Sequence, residues 1–301
     1  MDWFEPIYPA KKNSEFIAVE SKSFWRAAWG RFCKNPMAVL GLVVIIIMAL
    51  VSVFGPIFSP YAYDAQDTAN RYAGFSLEHL LGTDKFGRDI FTRLCYGGRI
   101  SLSIGFGAAV INTVLGVVIG GLCGYIGGKF DTVVMRIVDI IYAMPSMIYV
   151  ILIMMVFGSN VRSILIGICI PGWIGMARQV RSQLIALKEQ EFAMAALVIG
   201  ARDARILFRH LVINAVGPII VQVTFLVPNA IFTEAFLSFI GIGISAPMAS
   251  WGSMAQDARQ VFSMYPVQLL LPTLCICITI FALNFLGEGI GDAFNPKKSR
   301  G

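Results

Sequence analysis

Charge is what this chain has least of. Asp, Glu, Lys and Arg make up 14% of its 301 residues, against 57% hydrophobic residues, and the mean hydropathy is +0.73. A water-soluble domain carries about a quarter charged residues, so the solvent for most of this chain is lipid. Histidine is nearly missing: His79 and His210 are the only two, which excludes a histidine-rich metal site. The six cysteines lack the paired spacing of a metal site or disulfide framework. Cys123, Cys169, Cys275 and Cys277 lie in apolar runs, Cys33 precedes the first run, and Cys95 is expected to be exposed. There is no phosphate loop: Gly127-Gly128-Lys129 is followed by Phe130 and lacks the spaced glycine. His-Glu-x-x-His and Gly-x-Ser-x-Gly are missing too. Together these absences exclude a soluble enzyme, a secreted disulfide module, a disordered regulator and an ATP site within the chain.

What is present is a set of long apolar runs. About 20 apolar residues cross roughly 30 Å of hydrocarbon as a helix, and six stretches fit: Met37–Phe58, Ile100–Cys123, Ile140–Phe157, Ser163–Ala177, Ala215–Phe239 and Pro266–Leu286. Pro145 should kink the third, and the fourth is short, with 15 uncharged residues between Arg162 and Arg178. Six spans put both termini on one side. With the N-terminus inside, 17 of the 24 lysines and arginines fall on inner segments, and the other seven are Arg71, Lys85, Arg88, Arg93, Arg99, Arg162 and Arg259. This bias predicts N-in, C-in, and it accounts for the net charge of +6 without nucleic acid. Between Lys22 and Lys34, the aromatics Phe24, Trp25, Trp29 and Phe32 alternate with basic residues. That pattern predicts an interfacial helix over 22–34 lying on membrane lipid. The first apolar run is followed by no small-residue cleavage pattern, so it stays as an anchor.

The segment 178–214 is too long for a plain turn and reads as two helices, Glu191–Ile199 and Ala201–Leu211, hinged at Gly200. The first is small and apolar at Ala193, Ala195 and Ala196, and the second carries Arg202, Arg205 and Arg209. Such a pair can dock into another protein's groove, or lie with its arginines on anionic lipid.

These residues carry a resemblance. Glu191-Phe-Ala-Met-Ala-Ala-Leu-Val-Ile-Gly200, with Phe208-Arg-His-Leu-Val-Ile-Asn214 after it, resembles the EAA loop of ABC importer permeases. Leu81-Gly-Thr-Asp-Lys-Phe-Gly-Arg-Asp89, Tyr96-Gly-Gly-Arg-Ile-Ser-Leu102, Met135-Arg-Ile-Val-Asp139, Thr233-Glu-Ala-Phe-Leu-Ser-Phe-Ile-Gly241, Ser250-Trp-Gly252 and Asn284-Phe-Leu-Gly-Glu-Gly289 resemble the C-type permease subunit of the oligopeptide, dipeptide and nickel branch. The resemblance implies an all-α polytopic fold of the type I importer kind. Its parts would be a cytoplasmic segment 1–36, a first span 37–58, an extracytoplasmic loop 59–97, a permease core 98–290 with a coupling loop at about 183–213, and a tail 291–301.

It also implies partners: a sister permease, two cytoplasmic ATPases holding ATP and magnesium, and an extracytoplasmic substrate-binding protein, in the inner membrane of a prokaryote. The chain itself would hold no cofactor and hydrolyse nothing. Coupling to the ATPases would fall to Glu191, Ala195, Ala196, Gly200, Arg202 and Arg205. Two positions depart from the motif: Met194 stands where it has a glutamate and Ile213 where it has a proline. A more apolar ATPase groove than usual is therefore expected.

Other candidates have two readings each. Asp84, Arg88 and Asp89 could meet a binding protein, or cap a turn whose helix runs over 85–96 from Asp84 or Thr83. Arg136 and Asp139 can pair at the edge of the membrane, or contact substrate. Glu234, close to the hydrocarbon, needs a cavity or a partner: a peptide's amino terminus, or backbone near Gly241 and Gly243. Asn112, Gln222, Asn229 and Asn284 could line a pathway or join helices. Gly241–Val261, with Trp251, is too polar to span and should fold back at the mouth. The function so read is uptake of peptides, with nickel as the alternative substrate. The rivals are an ion-coupled secondary transporter, which would show repeated halves and acids at mid-span, and a subunit with no pathway.

Overall fold

In lipid every backbone N–H and C=O needs a partner within the chain, so a span must be a helix. The computed structural model describes residues 24–294, and all of its regular elements are helical. The elements are α1 (Phe24–Phe32), α2 (Pro36–Phe58), α3 (Ile90–Ile126), α4 (Gly128–Ala143), α5 (Ser146–Phe157), α6 (Val161–Gly172), α7 (Ile174–Lys188), α8 (Glu191–Val198), α9 (Val216–Phe239), α10 (Trp251–Arg259) and α11 (Pro266–Phe294). A turn of α-helix at Asp203–Arg205 runs into a π-helix, Ile206–Val212, between α8 and α9. Of the interfacial segment 22–34, Lys22 lies outside the described residues, as do 1–23 and 295–301 of the two terminal segments.

Among the described residues, five helices are long and apolar enough to cross a membrane: α2, α3, the continuous pair α6–α7, α9 and α11. A sixth crossing is available if α4 and α5, bent by 79° across Met144-Pro145, form one broken span. The helices outrun the apolar runs. Helix α3 starts ten residues before Ile100, because Asp89 caps it by accepting from Thr92 N–H. This corrects the expected start at Asp84 or Thr83. The charges inside it have work to do. Pro56 lacks an N–H, which leaves the Ser52 carbonyl of α2 without its helical partner, and Arg99 Nε donates to it at 2.8 Å. The fourth span continues through Trp173 to Lys188, well beyond Ala177.

Helix α3 is central, packing on α2, α6, α7, α9 and α10. Small residues bring α7 against it: a Cβ on Gly116 would stand 2.5 Å from Met176 Cβ, one on Gly120 2.2 Å from Ala177 O, and one on Gly124 2.9 Å from Arg181 O. This is the small-xxx-small spacing by which membrane helices approach closely without a hydrophobic drive between them. Cys95, expected to be exposed, is buried on α3, because Gly55 of α2 leaves room for its sulfur.

Candidate functional site

At one end of the bundle, the chain between α7 and α9 forms an elbow. Lys188 Nζ donates to the Tyr125 carbonyl at 2.7 Å, and the Tyr125 hydroxyl donates to Asp203 Oδ1 at 2.5 Å. The last turn of α3 therefore grips both arms. Helix α8 closes in a Schellman turn: Gly200 N–H reaches Leu197 O at 3.0 Å and Ala201 N–H reaches Ala196 O at 3.1 Å, with Gly200 at φ +75°. Glycine adopts that left-handed conformation without a Cβ penalty.

Ala193 and Ala196 face inward, packed in one core with Leu184, Ile206, Leu207 and Leu211. Ala196, expected among the docking residues, is thus a hinge contact, while Glu191, Ala195, Arg202 and Arg205 are exposed. Outward, α8 and its cap present Phe192, Met194, Leu197, Val198 and Ile199, and the π-helix exposes Phe208. The second helix differs from expectation. Arg202 is an extended cap, and a π-helix follows from Ile206, so Arg202, Arg205 and Arg209 do not repeat at α-helical pitch.

At the opposite end, the 59–89 loop is braced onto α10. Arg88 donates from Nε to Asp84 at 2.6 Å and from its terminal nitrogen to Asp257 at 3.1 Å. Lys85 reaches Asp257 at 3.0 Å. Arg93 lies 3.6 Å from Asp84. Asp89 holds His79 at 3.0 Å and Thr92 at 2.7 Å. Arg88 and Asp89 are only 5% and 3% exposed, so these side chains are taken up inside the chain. The expected contact surface at Asp84, Arg88 and Asp89 is instead an internal clamp. In the same loop, the N–H of Ala69 and the Asn70 side chain hold the Asp67 carboxyl below its usual range, while burial raises the Tyr63 phenol, which stacks on Tyr96.

Glu234 is fully buried. It meets neither backbone at Gly241 nor an open cavity: Ser101 donates to it at 3.0 Å and Ser238 at 2.8 Å. Ser101 also accepts from Trp251 N–H at 3.3 Å, and the Trp251 indole donates to Leu94 O at 2.9 Å. Glu234 and Trp251 therefore tie α3, α9 and α10 together, which corrects their expected place at a pathway mouth. Segment 241–261 does fold back, as the capped helix α10. Arg136 stands 4.0 Å from Asp139, whose nearer partner is Arg178 of α7 at 2.8 Å.

A cleft of about 540 Å³ opens between α3, α6, α9 and the α4–α5 break. Of the expected pathway residues it takes Asn112 and Asn229, with Thr233, but not Asn284 or Gln222. Its other wall, Tyr142–Ser146, escaped the sequence reading; the available signal was Pro145 itself, placed inside an apolar run.

Comparison with known proteins agrees with this architecture. Residues 116–300 match the family described as "binding-protein-dependent transport system inner membrane component", and residues 23–74 match the "N-terminal TM domain of oligopeptide transport permease C". The oligopeptide transport system permease protein OppC of Bacillus subtilis is 45% identical, over 98% of this chain and 96% of that one. The dipeptide transport system permease protein DppC of the same organism is 41% identical, over 99% and 94%. OppC of Escherichia coli K12 is 40% identical, over 96% and 98%. A solved chain of the MetNI methionine ABC transporter shares the fold, with a TM-score of 0.54 and 18% identity over 66% of this chain and 94% of that one. The chain is an all-helical, multi-pass membrane protein, and it belongs to the family of binding-protein-dependent transport system inner membrane components.

Proposed function

We propose that this chain is a permease subunit of an ATP-driven peptide importer. It pairs with a sister permease in a prokaryotic inner membrane, N-in and C-in, with two ATPases below and a substrate-binding protein above. The observation that carries this reading is the elbow. An apolar face of Phe192, Met194, Leu197, Val198 and Ile199 stands exposed on arms bonded to α3 through Tyr125, so a push on α8 moves the spans as one body. Met194 in place of a carboxylate suits an apolar groove on the ATPase. Peptides are favoured over nickel because the similar permeases at 45% and 41% identity carry oligopeptide and dipeptide names. ATP hydrolysis belongs to the partner subunits.

A mild-detergent pull-down of the tagged chain from its native membrane, followed by reconstitution with what it captures, tests this. The expected result is a sister permease, ATPases and ATP-dependent uptake of a labelled peptide delivered by its binding protein. A chain that comes down alone, under conditions that keep other ABC complexes whole, overturns the reading.

A further inference from the structure

The cleft between α3, α6, α9 and the α4–α5 break holds a buried acceptor without a partner. The Asn112 carboxamide oxygen is buried and receives no hydrogen bond, although the residue is only 3% exposed and lines the cleft. A buried acceptor left unpaired costs about 1–3 kcal/mol. Glycine makes room for it: a Cβ on Gly172 would stand 2.3 Å from the Asn112 amide nitrogen.

The facing wall is a broken helix. Pro145 has no N–H to give Ile141 O, and the Tyr149 hydroxyl takes that carbonyl at 2.9 Å. The carbonyl end of α4 and the start of α5, which no side chain caps, both border the cleft, and helix ends leave orphan C=O and N–H groups. On α9, Asn229 is exposed to the same space, and Thr233 spends its proton on Asn229 O at 2.8 Å. None of the residues lining the cleft is charged. Arg178, near its rim, is occupied by Asp139 at 2.8 Å and by the Tyr142 ring at 4.5 Å.

Acceptors and donors alternate here without charge, in a space within the range of about 300–1,000 Å³ typical of small-ligand sites. Resting on the peptide-importer reading, we propose that this cleft is a transit site for the peptide main chain. Asn112 accepts a main-chain N–H, and Asn229 and the α5 end donate to main-chain carbonyls. An uncharged polar wall pairs with the group common to all peptides. It gives a charged terminus or side chain no counter-ion, so it does not select among sequences.

The test is ATP-dependent uptake by the complete importer in proteoliposomes. A neutral peptide is compared with the same peptide N-methylated at its main-chain amides, each at saturating binding protein so that the carrier's own preference drops out. Asn112→Leu and Asn229→Ala are expected to lower uptake of the unmodified peptide about tenfold. The methylated peptide should be taken up about tenfold less by the unaltered importer, with little further loss in Asn112→Leu, since the same bond cannot be lost twice. Asn229 is exposed, so Asn229→Ala tests the site even where Asn112→Leu disturbs packing. Equal fractional losses for both peptides in Asn112→Leu, or uptake unchanged in both variants, overturns the proposal. Absence of any peptide uptake by the unaltered importer instead overturns the importer reading on which it rests.

Discussion

The turn at Gly200 sets the direction of the coupling helix, so substitution there should weaken ATPase docking by an amount the geometry gives. Gly200 sits at φ +75°, and a Cβ added there would meet nothing within 4 Å. Gly200→Ala therefore carries no clash, and its cost is the left-handed conformation alone, about 1–2 kcal/mol. If docking needs that conformation, affinity falls about 5- to 30-fold. Gly200→Pro does more. Its ring fixes φ near −65°, and it removes the N–H bonded to Leu197 O and breaks the Ala201-to-Ala196 bond. Two lost bonds at about 1 kcal/mol each, added to the turn penalty, predict a loss above about 100-fold. The assay is titration of the purified ATPases onto the permease pair in nanodiscs, with binding-protein-stimulated ATP hydrolysis read in parallel. Gly107→Ala is the control, because its nearest neighbour would be Leu165 Cδ2 at an ordinary 3.6 Å. Affinity of Gly200→Pro within about threefold of the unaltered pair would refute docking through this elbow.

Three further predictions concern the framework. Gly120→Ala sets a Cβ 2.2 Å from Ala177 O, forces α3 and α7 apart and should cost about 1–3 kcal/mol; Gly121→Ala, with 3.8 Å of clearance, should not, and equal thermal midpoints for the two would count against the tight seam. Glu234→Ala removes the acceptor of Ser101 and Ser238 and opens a void, at about 3 kcal/mol. Glu234→Gln keeps shape and acceptor and should melt within a few degrees of the parent, so similar large losses in both would sink the bracing role. Asp257→Ala takes a partner from Arg88 and Lys85, at about 1.5–3 kcal/mol, and limited proteolysis should cut the 59–89 loop faster; an unchanged cleavage rate would show that the clamp does not hold the loop.

The place of five spans, the break at Pro145 and the existence of the elbow could be read from the chain alone. Hydrocarbon admits no unpaired backbone over some 30 Å, so a charge-free run such as 37–58 has one solution. Gly200 announced its turn because few other residues sit easily at positive φ. What the sequence could not rank was the use of each polar side chain. Arg93 and Arg99 counted only as charges of the outer side, yet both lie within α3, where Tyr63 O and the carbonyl freed by Pro56 await them. Ala195 and Ala196 are neighbours in one motif, but one faces outward and the other the π-helix. Arg88, Asp89 and Glu234 looked like contact groups and proved to be internal ties. Asn112 and Asn284 are alike in one dimension, but only Asn112 meets Gly172 and the broken helix at Pro145. Apolar length is a property of consecutive residues, and burial in lipid reads it directly. Whether a polar group is satisfied depends on residues up to 185 positions away, as between Thr83 and Gln268, and only the packed helices bring those together.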